Sequence, residues 1–236
     1  GAGNYTGARL QGQARNATHD NTAEASPAAD WIFDSSTGWS KNYPNNYISW
    51  MWKRHAGFDV QSWEGTNSSR VRRHNLGRTP EMIWFKNRDG TRNWRVYHKG
   101  LNGGTNPEDY SMMLNSNATE ASNTSYMTGI APTSLTFVAG NDDDTNGSGD
   151  SYLAFLFASV SGISKIGYYN GSSSQQTIST GFQPRFIMIR RVNDTQDWVI
   201  LDTLRGWAQG ANDPRLELNN TSAQNSNTDF GYPTTG

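Results

Sequence analysis

The chain has 236 residues, a formal net charge of −1, no cysteine and only 17% charged residues. With a net charge near zero, the chain lacks the excess of basic residues that is typical of a dedicated nucleic-acid binder. The absence of cysteine excludes disulfides, thiolate zinc sites and cysteine nucleophiles. No stretch approaches the roughly 20 consecutive apolar residues that a membrane-spanning helix needs. Nine Trp, ten Tyr and nine Phe supply large apolar surfaces, so we expect a folded chain with an aromatic-rich core.

Short apolar runs separated by turn residues predict an all-β chain, because no window of a dozen residues has helical periodicity. The turn dipeptide Asp89-Gly90 predicts a hairpin that joins the strands over 81–87 and 94–98. Alternation along the second of these strands places Trp94 on one face and Tyr97 on the other. In chain order, we expect strands over residues 58–64, 70–74, 81–87, 94–98, 111–114, 135–139 and 151–158.

An internal repeat is the most informative feature of the sequence, and repeats are best sought before local structure. Residues 77–86 (GRTPEMIWFK) and 181–190 (GFQPRFIMIR) share the order Gly-x-x-Pro, a large apolar run and a basic residue. The two segments lie 104 positions apart, and the same offset relates Trp94 to Trp198. Agreement over this distance without a gap indicates two copies of one unit.

The repeat also extends toward the amino terminus, where residues 47–52 (YISWMW) match 152–157 (YLAFLF). We therefore expect the back half of one unit over 1–55, a complete unit over 56–160 and the front part of a further unit over 161–236. The many short strands in each unit are typical of an antiparallel β-sandwich. The predicted fold is all-β, with jelly-roll-like β-sandwich repeats of about 105 residues.

The last unit has no counterparts of the strands at 135–138 and 152–157, and a sandwich without them would expose apolar sheet edges. One explanation is that the chain is an excerpt of a longer protein whose other segments complete both ends. The alternative is that residues 47–52 fill the gap by pairing with strands of the last unit. The excerpt is preferred, because the motif at 21–24 (NTAE) recurs at 221–224 (TSAQ).

A calcium site is predicted in the acidic loop, where Asp142, Asp144 and Asn146 stand in the order Asp-x-Asp-x-Asn-Gly. Calcium prefers several hard oxygen ligands on a flexible loop. The closing glutamate of a helix–loop–helix calcium site is missing, because the twelfth position is Leu153. A solvated acidic hairpin tip is therefore the alternative, and no other cofactor is expected.

Two arginines and two tryptophans are candidates for ligand binding. Arg70 and Arg72 share one face of a predicted strand, where they suit an anionic glycan or a partner subunit. A solvent-facing basic strand is the alternative. Trp84 and Trp207 do not recur as tryptophan in the other copy, so we assign them to a surface or interface and not to the core.

No enzyme is expected. The four histidines show no metal-ligand spacing, and no Gly-x-Ser-x-Gly nucleophile motif occurs. Asp and Glu fall in loops without a distinguishing environment, so no pair of carboxylates stands out for glycoside hydrolysis.

One order of motifs connects the chain to a known family: 74–77 (HNLG), 80–83 (PEMI), 86–89 (KNRD) and 93–98 (NWRVYH). This order resembles a repeat domain of uncharacterised function in structural proteins of tailed bacteriophages, notably marine and cyanobacterial phages. The resemblance implies a non-enzymatic virion protein on the exterior of the particle, in a tail fibre or appendage. Its implied roles are assembly and attachment to a glycan of the host surface.

The resemblance also implies the partners, which are other virion proteins and further copies of the same chain, but neither nucleic acid nor a membrane. A capsid decoration or cement protein is the first alternative. A secreted lectin or glycosidase, unrelated to phages, is the second.

Overall fold

A computed structural model describes residues 4–11, 15–18, 26–27, 32, 38–39, 47–210 and 212–235. Most of the predicted unit 1–55, with its motif at 21–24, lies outside the described residues. In the described part the regular elements are β-strands and short 3₁₀ helices, and every strand pairing is antiparallel. The predicted all-β class is therefore confirmed. No helix in this part is long and apolar enough to cross a membrane.

The strands of the first part and of the complete predicted unit are β1 Tyr5–Thr6, β2 Arg15–Thr18, β3 Ser26–Pro27, β4 Phe58–Glu64, β5 Arg70–Arg73, β6 Met82–Asn87, β7 Arg95–His98, β8 Tyr110–Met113, β9 Ala121–Ser122, β10 Thr136–Ala139 and β11 Ser151–Phe157. Those that follow are β12 Phe186–Ile189, β13 Val199–Asp202 and β14 Leu216–Glu217. Single turns of 3₁₀ helix lie at Arg9–Gln11, Leu101–Gly104, Pro107–Asp109 and Thr203–Arg205.

A six-stranded sheet in the order β4-β11-β6-β7-β8-β9 forms the centre of the fold. The hairpin predicted between 81–87 and 94–98 is confirmed as β6 and β7, in which Met82 lies opposite His98. Strand β11 inserts between β4 and β6 and pairs with both along its length. Its sequence is almost entirely apolar because a central strand that is covered on both faces has no solvent side.

Both faces of the central sheet are covered by other sheets. On one face, Phe137 of the two-stranded sheet β5–β10 joins Phe85 and Tyr97 in a buried core. On the other face, Trp198 of the three-stranded sheet β12–β13–β14 joins Trp94 in a second core. Every residue of β6 is consequently buried, including its two polar residues, Lys86 and Asn87.

The sheet β12–β13–β14 repeats the register of β6–β7–β8. The pairs Met82–His98 and Val96–Met112 of the central sheet correspond, 104 positions later, to Phe186–Asp202 and Ile200–Leu216. The two sheets differ at one edge. Strand β6 has strand neighbours on both sides, whereas β12 pairs only with β13 among the described residues.

Residues 47–52, whose sequence matches β11, form no strand in this structure. They lie beside the start of β12, where the Trp50 ring is centred 5.5 Å from that of Phe186. The Trp50 indole N–H donates a hydrogen bond of 2.9 Å to the Asp202 carboxylate. The side chains of this segment therefore contact the last sheet, without adding a strand to it.

Candidate functional site

A buried polar cluster lies between the β6–β7 hairpin and the acidic loop at 142–146. The Lys86 side chain is fully buried, and its ammonium group donates to the backbone carbonyl of Arg92 at 2.8 Å. The same group lies 5.8 Å from the ring centroid of Trp94, where a cation is attracted by the electron-rich face. Burial lowers the pKa of Lys86 to about 8, and the nearby charge of Asp144 opposes this shift.

Two carboxylates of the acidic loop face one arginine of β7. Asp144 forms an ion pair with Arg95 and accepts a hydrogen bond of 3.0 Å from the backbone N–H of Asn93. Asp142 lies 3.6 Å from the same guanidinium group. Burial raises the pKa of Asp144, although Arg95 acts in the opposite direction. These contacts attach the acidic loop to the start of β7, an interior strand of the central sheet.

The third predicted calcium ligand, Asn146, has different partners. Its side-chain oxygen accepts from the Thr66 N–H at 3.3 Å, and its NH₂ group donates to the carbonyl groups of Gly140 and Ser68. Among the described residues, no group of three or more His, Asp or Glu side chains is arranged to hold a metal ion. Calcium binding by Asp142, Asp144 and Asn146 stays a prediction. Here the cation beside both carboxylates is Arg95.

The predicted basic face on β5 is partly held against the core. Arg70 is exposed, whereas the Arg72 guanidinium lies 5.5 Å from the ring centroid of Trp63. Burial and the like charge of Arg70 lower the pKa of Arg72. Arg70 alone therefore points freely into solvent, and the structure does not bring the two arginines together around a cavity.

Both predicted binding tryptophans are buried. Trp84 is 5% exposed in the core between the two large sheets, with its ring centred 4.7 Å from that of Phe157. Trp207 is also 5% exposed, and its indole N–H donates to the carbonyl of Gly231 at 2.8 Å. Neither presents a ring face to a ligand in solvent.

A cavity of about 460 Å³ opens beside the start of β6 and the end of β7, and Glu81, Lys99 and Ser159 are among the residues that line it. Its charged groups satisfy one another, since Glu81 pairs with Lys99 and accepts from the Ser159 backbone N–H at 2.6 Å. Burial raises the pKa of the neighbouring Tyr97 hydroxyl to about 12. Burial and the positive charge of Lys99 lower the pKa of His98 to about 4. At neutral pH the imidazole is uncharged and accepts from the Gly100 N–H.

A second cavity, of about 290 Å³, lies on the outer face of β12 and β13 and is here called the arginine pocket. Its lining includes three arginines and one aspartate: Arg190, Arg191, Arg215 and Asp197. Arg190 lies 5.9 Å from the Trp198 ring centroid, and Arg215 lies 5.6 Å from that of Phe230. Sequence reasoning did not single out this pocket, although the match of Arg190 to Lys86 in the repeat was a usable signal.

Comparison with known proteins gives a family and no function. No curated protein and no solved structure matches the chain. A family model described as "Domain of unknown function (DUF7483)" matches residues 5–232. Because this match covers nearly the whole sequence, the chain belongs to the DUF7483 family.

Proposed function

We propose that the chain is a non-enzymatic structural protein built from β-sandwich repeats of about 105 residues, with a jelly-roll-like arrangement of strands in each unit. Its place is the exterior of a phage particle, in a tail fibre or appendage. There it takes part in assembly with other virion proteins and further copies of itself, and in attachment to a host-surface glycan. The observation that carries this proposal is a hydrogen-bond network that occurs twice, 104 positions apart.

The network surrounds a buried tryptophan in each copy. The Trp94 N–H donates to Asn115 at 2.9 Å, and the Trp198 N–H donates to Asn219 at 2.7 Å. Each of these asparagines in turn donates to the residue before the tryptophan: Asn115 to Asn93 at 3.1 Å and Asn219 to Asp197 at 2.7 Å. A cation covers each indole ring, from Lys86 and from Arg190. Recurrence of the bonds together with the strand register supports a repeated unit.

The two copies pack against each other through apolar faces. Trp198, Ile200 and Leu218 share one buried core with residues of the central sheet, and the Trp198 indole N–H donates to the Met113 carbonyl at 3.0 Å. Interfaces between independent domains are usually more polar than this. Units that bury such faces against their neighbours form stiff arrays, in which each unit is stabilised by the next. Stiff arrays suit a structural protein.

The location on a phage particle rests on the sequence resemblance, and it is tested by electron microscopy. Gold-labelled antibodies against the chain are applied to particles of a phage that encodes it. We expect label on the tail or its appendages. Label over the head would replace this assignment by a capsid decoration or cement protein, and particles without label would overturn the virion proposal.

Glycan attachment needs a separate test, because a structural protein need not bind a receptor. The chain is applied to an array of bacterial surface glycans, with heat-unfolded chain as the control. Binding to a defined glycan supports attachment. An array without hits removes that part of the proposal and leaves the structural role in place.

A further inference from the structure

The residues that precede the Gly-x-x-Pro motif differ in character between the two copies. In the first copy, residues 58–76 form β4 and β5 and carry five Asp, Glu or Arg side chains. In the second copy, residues 163–180 form no strand, and Lys165 is the one charged residue among them. Every residue from 167 to 179 is exposed, and all of these except Ile178 are Gly, Tyr, Asn, Ser, Gln or Thr. The second copy thus carries an uncharged, polar surface where the first copy has strands.

Tyr168 attaches this exposed segment to a glycine-rich loop of the first copy. A Cβ atom at Gly100 would lie 2.5 Å from the Cβ and Cγ atoms of Tyr168, and one at Gly104 would lie 2.4 Å from its hydroxyl oxygen. The tyrosine therefore lies along the backbone of this loop, in space that a larger residue at either glycine would fill. Gly104 also has φ +84°, a conformation that favours glycine. Tyr168 is still 55% exposed, so one side of the ring is seated on the loop and the other is open to solvent.

The glycine-rich loop is held in one conformation by contacts within the first copy. Leu101 is fully buried, and the backbone N–H of Asn102 donates to the Glu120 carboxylate at 2.7 Å. The Asn102 side chain closes the loop by donating to the Thr105 carbonyl at 2.8 Å. Residues 103–106 are exposed. A loop that is already fixed loses little conformational entropy when it binds a ligand.

Tyrosines, amides and hydroxyls of the two segments form a surface that is here called the tyrosine patch, residues 103–106 and 168–176. Tyr169 is 47% exposed, and the Gln176 side chain folds back to donate to the Asn170 carbonyl at 3.0 Å. No residue of the tyrosine patch is charged. Antibody loops use the same residue types, because tyrosine offers a large, rigid contact area while Ser, Gly and Asn offer adaptable hydrogen bonds. The composition of the patch is therefore that of a recognition surface.

Charged groups at the margins of the tyrosine patch carry both signs. Lys99 pairs with Glu81, and Glu120 accepts from the backbone of the glycine-rich loop. Lys165 and Glu108, which stand close to the patch in the sequence, have opposite charges. A strongly charged ligand would lose hydration at the patch without gaining a counter-charge from it. The electrostatics therefore favour an uncharged ligand.

We infer that the tyrosine patch binds an uncharged saccharide. A saccharide presents C–H groups that pack on the open side of an aromatic ring such as that of Tyr168. Its hydroxyl groups exchange hydrogen bonds with amides and hydroxyls, which the exposed residues Thr105, Asn106 and Asn170 provide on the two segments. The inference rests on the glycan attachment proposed above, to which it adds a site and a class of ligand.

The test applies the whole chain to an array of neutral and acidic bacterial surface glycans, followed by isothermal titration with a neutral glycan that binds. Tyr168→Ala should weaken binding at least about tenfold, because it removes the ring on which the saccharide packs. Tyr168→Phe keeps the ring and should bind more tightly than Tyr168→Ala. Tyr5→Ala is the matched control, because Tyr5 is a 39% exposed tyrosine outside the patch, and it should bind like the wild type.

Gly100→Ala tests the seat of Tyr168 without removing the tyrosine. Gly100 has φ −95° and ψ 1°, a turn conformation that alanine adopts without strain. The added methyl group would lie 2.5 Å from the Tyr168 side chain and displace it. We expect saccharide binding to weaken toward the level of Tyr168→Ala, in a chain whose urea unfolding curve shows that it is folded.

Wild-type affinity in Tyr168→Ala or in Gly100→Ala would overturn the inference and leave glycan attachment standing at another surface. Binding of acidic glycans alone would overturn it as well. An array without hits removes the site and glycan attachment together, whereas the structural role does not depend on this result. The location on a particle is tested separately in the microscope, so its failure leaves the saccharide site standing.

Discussion

Replacement of Lys86 by methionine tests whether the buried ammonium group sets the pH dependence of stability. The pKa of this group is about 8 in the folded protein, against 10.5 for an unperturbed lysine. Between these two pH values the unfolded chain binds a proton that the folded chain does not, so stability increases with pH. The sign follows from burial: below pH 8 the folded protein carries a charge that its surroundings disfavour.

The magnitude follows from the two pKa values. Their difference corresponds to roughly 3 kcal/mol in total, of which about 2 kcal/mol is gained between pH 7 and pH 9.5. Buried tyrosine hydroxyls act in the opposite direction near pH 10, because burial raises the pKa values of Tyr97 and Tyr152 to about 12. The comparison with a variant removes this contribution, which the wild type and the variant share.

Urea denaturation gives the free energy of unfolding at half-unit steps from pH 7 to pH 9.5. We expect the wild type to gain about 2 kcal/mol relative to Lys86→Met over this range. Lys165→Met is the matched control, because Lys165 is exposed, and it should follow the wild type. If the free energies of unfolding of the wild type and of Lys86→Met change in parallel with pH, the assignment of Lys86 as a buried, destabilised cation is refuted.

Three further predictions concern the core, a histidine and the acidic loop. Trp198→Ala should lower the free energy of unfolding by about 3–5 kcal/mol, because the Trp198 side chain is only 4% exposed between the sheets. Leu204→Ala should change it little, because the Leu204 side chain is 80% exposed. The pKa of His98 falls to about 4 on folding, so the wild type loses stability as the pH drops from 6.5 to 4. His98→Asn should therefore flatten the pH profile of the free energy of unfolding in this window. Asp144→Asn should lower the free energy of unfolding by about 3 kcal/mol, because it leaves a buried arginine with a weaker partner. The Asp143 side chain is 59% exposed, so Asp143→Asn should lower it by less than about 0.5 kcal/mol. Urea titrations measure all three. Equal losses of stability in Asp144→Asn and Asp143→Asn would contradict the ion-pair argument.

Local patterns were sufficient for the strands. The alternation of side chains and the Asp89-Gly90 turn identified β6 and β7 as a hairpin, and the structure confirms the pairing and the opposite faces of Trp94 and Tyr97. These features depend on neighbours within a few residues, where strand period and turn geometry leave few alternatives. The match of Trp94 to Trp198 was equally readable, and both side chains are buried.

The position of a strand in the sheet could not be predicted from the sequence of that strand alone. Trp84 looked like a surface or interface residue because its counterpart is not tryptophan, yet it is buried, since two sheets cover both faces of β6. Burial depends on what packs over a residue, and that partner comes from a distant part of the chain.

The sequence by itself determined the all-β class, most strands of residues 56–160 and the 104-residue offset, because periodicity and turn chemistry act over short distances. Only the tertiary structure decided that β11 inserts between β4 and β6, that Arg95 holds the acidic loop and that three arginines line one cavity. Contacts between residues some 50 to 100 positions apart depend on the order of strands in the sheet. That order is set by the burial of whole faces, which no local pattern records.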